Sequence, residues 1–157
     1  MEPLIMDIRA EDNKYLHKDF HITGDNGLLY VGEKFGDNGV REYLYQFTKA
    51  FYVPLFEAYK KEGLKALLDH QKNLYEQEEM PEVFHAELTD DELTITIDKC
   101  PAVTFMKSRG YTPSKWYIEL TRTVGMAIAD ELNLGFSLEY YNEEDGACKY
   151  RYFKRSF

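Results

Sequence analysis

The sequence predicts an α+β domain. N-terminal helices precede a hairpin, two helices and a second hairpin, and the four strands form a mostly antiparallel sheet with helices packed on it. Three observations predict this. Apolar residues recur at helical spacing through the first half of the chain. The period then switches to two, with Phe84, Ala86 and Leu88, and then Leu93, Ile95 and Ile97, alternating with polar residues. A last alternating pair surrounds Asp145-Gly146, a strong short-range hairpin signal. No repeat, low-complexity tract or linker interrupts residues 1–157, so a single domain is expected.

In order along the chain, a short helix is expected over residues 12–22. It loosens at Gly24-Asp25-Asn26-Gly27 before a turn or second helix that runs to Phe35. Asp37 can cap the next helix, whose stripe is Val40, Tyr43, Leu44, Phe47 and Phe51. Pro54 kinks or restarts it, and Leu55, Phe56 and Tyr59 continue the apolar face. Gly63 separates a further helix, carrying Leu64, Leu67, Leu68, Leu74 and Tyr75, that ends near Met80-Pro81. Thr89-Asp90-Asp91-Glu92 turns the first hairpin. Pro101 starts a short helix that Gly110 ends, and Pro113 or Ser114 starts a long one to about Leu132. Phe136, Leu138 and Tyr140 then pair with Cys148, Tyr150 and Tyr152.

Composition narrows the function classes. There are 28 acidic against 19 basic residues, a formal net charge of −9. This argues against nucleic acid and anionic membrane surfaces as partners. The 13 Tyr and 10 Phe point to wet pockets with half-buried polar contacts. The opening MEPLIMDIRAED is acidic and lacks the apolar run of a signal peptide, and no stretch reaches transmembrane length. Cys100 and Cys148 lack CxxC spacing and fit free thiols in a reducing cytosol, so a cytoplasmic protein is expected. A homodimer is compatible with a small aromatic-rich domain, though no residue specifies one.

Three groups of residues can carry chemistry. Cys100 stands where a strand gives way to a helix start, where the N-terminal dipole can stabilise a thiolate; the plain alternative is an inert buried cysteine. Glu119 and Arg122 lie on a helix so nearly apolar that its charges must be paired or face a cavity, unless they form an ordinary pair on a solvated edge. Trp116, Tyr117, Leu120, Val124, Ala127 and Ile128 make that helix's apolar face. His17 and His21, one helical turn apart, can present two acid/base groups to one pocket or clamp a divalent metal; acid/base use is favoured, and a surface pair is the alternative. His85 and His70, the latter expected on an exposed helix face, show no partner. GxGxxG, Walker-type GKS or GKT, GxSxG and HExxH are all absent.

The segments YLHKDFH, FYVPL, EGLKALLDH, CPAVTFMKSRGY, ELTR and EYYNEEDGACKYRYF run in this order from about residue 14 to 155. Together they resemble the L-2-amino-thiazoline-4-carboxylic acid hydrolase-like family, with CPAV and its downstream Gly-Tyr as the most specific part. The resemblance implies hydrolytic opening of a small cyclic amidine, in which water adds to the carbon between ring nitrogen and sulfur to give N-carbamoyl-L-cysteine. It also implies a continuous helix where Ile22–Gly27 read by themselves as turn. In this reading Arg122 holds a substrate carboxylate, Cys100 is nucleophile or ligand, and His21 or Glu119 is general base. His17 and Trp116 stand beside the substrate, and no cofactor is required. The order of helices and hairpins is also similar to 4-vinyl-reductase-type domains. That implies the competing class, a sensor whose tyrosines and Trp116 line a cavity without chemistry.

Overall fold

The computed structural model describes residues 18–156. Helix α1 (Asp19–Phe51) is bent at Gly36, whose φ of 70° and ψ of −169° suit glycine and break the helical run. The Ile22–Gly27 segment is helical, which corrects the turn read from its glycines and Asn26. Tertiary contacts outweigh its weak propensity. Asp25 is fully buried, and its carboxylate accepts hydrogen bonds from the Ser114 amide and hydroxyl, each at 2.7 Å, and from the Tyr111 hydroxyl at 2.9 Å. The beginning of the expected 12–22 helix lies outside the described residues.

Helix α2 (Val53–Glu62) starts with Pro54 in its first turn, and α3 (Leu64–Gln77) follows across Gly63. A 3₁₀ turn leads into β1 (Phe84–Leu88) and β2 (Glu92–Ile97). Helix α4 (Pro101–Ser108) begins at the expected proline. Helix α5 (Glu119–Glu131) does not begin at Pro113 or Ser114. Ser114 is tied to Asp25, and the chain reaches α5 through tight turns in which the amides of Tyr117 and Glu119 bond the carbonyls of Ser114 and Trp116. Strands β3 (Leu134–Tyr141) and β4 (Cys148–Lys154) complete a sheet of order β1-β2-β4-β3 whose neighbours all pair antiparallel. The fold is therefore α+β, as expected.

The buried side of the sheet pairs Leu93 with Tyr152 and Ile95 with Tyr150. Helix α5 packs over β3, α3 over β1 and β2, and α1 lies along α5. The expected stripe on the second half of α1 divides. Val40 and Leu44 enter the core, whereas Tyr43, Phe47 and Phe51 remain exposed. His70 is not on an open helix face: its ring is largely buried, edge-on to Tyr52 with centroids 5.5 Å apart. Among the described residues no helix is long and apolar enough to cross a membrane.

Candidate functional site

Cys100 is the N-cap of α4, in extended conformation, and its amide donates to the Asp145 carbonyl at 2.8 Å. This bond ties the end of the first hairpin to the turn of the second. The thiol packs against Ala102, Val103, Met106 and Tyr117. Burial pushes its pKa up, and the Glu78 carboxylate pushes in the same direction. The amides of Val103 and Ala102 pull it down, the helix-start effect expected from the sequence, but burial wins. The group rests as a thiol. Burial also raises Cys148, to about 12.

His21, in the first turns of α1, places Nε2 2.7 Å from Oε1 of Glu78, the residue that caps the C-terminus of α3. Both side chains are mostly buried, 17% and 14% exposed. The approach is close without being well aligned, since His21 Nε2, a buried atom, makes no hydrogen bond among the described residues; buried Glu78 Oε2 likewise has none there. His21 lines a cavity of about 340 Å³ with Asp25, Leu28, Tyr52, Tyr117 and Leu120, and exposed aromatic rings form the rim. Tyr117 joins this cavity to the thiol. It packs in the Cys100 cluster, and burial raises its phenol strongly, with Cys100 and Glu78 adding to the effect.

Glu119 and Arg122 belong to a different concavity, of about 600 Å³, lined also by Arg41, Tyr45, Thr123 and Met126. Glu119 is 3% exposed and fully satisfied. Oε1 accepts from Arg41 Nε and Nη2, both at 3.3 Å, and from Arg122 Nη2 at 2.5 Å, while Oε2 accepts from Thr123 Oγ1 at 2.6 Å. Burial opposes its ionisation, but the bonds from Arg122 and Thr123 and the charge of Arg41 outweigh that and hold its pKa low. Its charge is thus both paired and set against a cavity.

Trp116 serves packing. Its ring lies over Gly32, and Nε1 donates to Asp37 at 2.8 Å, so Asp37 meets an indole where a helix cap was expected. The structure brings His21, Glu78, Tyr117 and Cys100 together and places Glu119 and Arg122 elsewhere. His17 lies outside the described residues. Among those described, no three His, Cys, Asp or Glu residues cluster in a way that could hold a metal. Sequence reasoning missed Glu78, which sits in the acidic run Gln77-Glu78-Glu79 and reads as solvated. It is turned inward where the chain leaves α3 through Glu79 at φ 61°. Comparison with models of known families, with curated proteins and with solved structures finds no match.

Proposed function

We propose that this protein is a small-molecule hydrolase, acting in the cytoplasm, that opens a cyclic amidine in the His21 cavity. The observation that carries the reading is the His21–Glu78 contact, 2.7 Å between mostly buried side chains on the cavity wall. A carboxylate 2.7 Å from one imidazole nitrogen lies against the ring and leaves Nδ1 to take a proton. His21 removes a proton from water as the water oxygen bonds to the amidine carbon. The amidine C=N π electrons move onto the nitrogen, which takes the second proton of the water as the C=O forms. The ring carbon–sulfur bond breaks, and the leaving sulfur receives the first proton from His21, giving an N-carbamoyl thiol. Cys100, resting as a thiol, is a neighbour of this step and not its base. Arg122, in the other concavity and bonded to Glu119, takes no part.

Incubation with 2-amino-thiazoline-4-carboxylate and related cyclic amidines, with product mass and thiol release as readouts, tests the proposal. His21→Ala should lower turnover by roughly 10²–10⁴, and Glu78→Gln should lower it while leaving the fold intact. Unchanged turnover in both variants rules the dyad out.

The protonated thiol favours a second reading, a sensor that holds its ligand in the same cavity without chemistry. Ligand binding without turnover across the amidine panel would support it.

A further inference from the structure

We infer that the occupant of the His21 cavity is an uncharged or cationic cyclic amidine that carries an aromatic ring and lacks a carboxylate. This narrows the substrate class of the reading above and rests on that cavity being the reaction site. Among the described residues no Lys or Arg lines the cavity. Among the described residues the fixed charges at its polar end are acidic: Asp25 on the wall, and Glu78 behind His21 with a buried oxygen that has no hydrogen-bond partner there. The arginines suited to grip a carboxylate, Arg41 and Arg122, lie in the other concavity and are bonded to Glu119. A carboxylate in the His21 cavity would therefore be desolvated beside acids, with no fixed cation among the described residues to offset it.

Size and rim point the same way. A volume of about 340 Å³ lies in the range that serves drug-sized ligands. That is ample for a fused aromatic system. Phe20 and Phe51 are 68% and 62% exposed at the rim, and Phe47 stacks on Phe51 with centroids 5.0 Å apart at 17°. Apolar rings gathered around one opening mark a binding surface. Their faces suit a flat ring and attract a delocalised cation such as an amidinium.

Calorimetric titration with 2-aminobenzothiazole and with 2-amino-thiazoline-4-carboxylate tests this on the whole protein. The aromatic amidine should bind at least tenfold more tightly. Phe51→Ala and Phe47→Ala, at partly or largely exposed positions, should each weaken it by roughly tenfold. The inference is overturned if the carboxylated amidine binds as tightly or more so, if neither binds, or if both phenylalanine variants bind unchanged. It is also overturned if Phe51→Ala dissociates a dimer whose second copy fills the rim. Binding and turnover separate the two readings. Selective aromatic binding with no hydrolysis keeps this inference and removes the hydrolase, whereas hydrolysis with preference for the carboxylated amidine does the reverse.

Discussion

A β-carbon at Gly32 would stand 2.5 Å from the Trp116 indole, so glycine and tryptophan share one space between α1 and the turns that precede α5. That contact positions the start of α5 beneath α1. Gly32→Ala gains about 1 kcal/mol of helix propensity but forces a rigid ring out of place, an overpacking effect of about 1–3 kcal/mol. A net loss of stability is expected. Gly27→Ala, in the same helix with open space around it, should gain up to about 1 kcal/mol. Urea midpoints of the two variants check the opposite signs; two stabilised variants would mean that Trp116 can move aside.

Asp25 fastens the same junction. Its removal in Asp25→Ala leaves the Ser114 amide, the Ser114 hydroxyl and the Tyr111 hydroxyl without their acceptor. At about 1–3 kcal/mol for a buried group left unsatisfied, a loss of at least about 2 kcal/mol is expected. Asp25→Asn keeps one oxygen and should lose less. Equal stability of both variants and the parent would show that water replaces the carboxylate.

These two contacts also show what the sequence could and could not disclose. Strand alternation is local, so Leu93, Ile95 and Ile97 could be placed in the core from their spacing, and Pro101 and Gly110 bracketed α4 by backbone chemistry alone. Ile22–Gly27 read as turn because Asp25 finds its partners at residues 111 and 114, far away in sequence. The pairing of Glu119 was legible from its apolar helix, but Arg41 was not, since it arrives from α1. Glu78 escaped because an acidic residue in an acidic run carries no mark of burial. Tyr43, Phe47 and Phe51 keep helical spacing, and spacing cannot tell a ring at a cavity rim from a ring in the core.

The protonated resting state of Cys100 has a direct kinetic consequence. Iodoacetamide reacts with the thiolate, so with the pKa raised by burial, alkylation of the native protein near neutral pH should be slower than that of a free cysteine. The rate should climb with alkaline pH and rise sharply on unfolding. Peptide mapping by mass identifies the labelled residue. Fast, selective labelling of Cys100 near pH 7 would show that the amides of Ala102 and Val103 outweigh burial, and would return the nucleophile role to the thiol.

His70 gives the fold a pH dependence of its own. Burial holds its imidazole pKa below the ordinary value, and Nε2 is buried without a hydrogen-bond partner among the described residues. The unfolded chain, with an ordinary histidine pKa near 6.5, therefore takes up a proton more readily than the native state. Above that value neither state binds it, and the full stability is present. As pH falls through about 6.5 the unfolded state is protonated first and stability is lost, until the native imidazole titrates as well. Carboxylates held low by their partners, such as Glu92 and Glu119, lose their contribution only at lower pH, from the ordinary carboxylate range downward. Urea midpoints between about pH 7.5 and 5 should thus fall in the parent. His70→Leu, which cannot take up a proton, should show a shallower fall over the same window. Parallel curves for parent and variant would place the acid-sensitive group elsewhere.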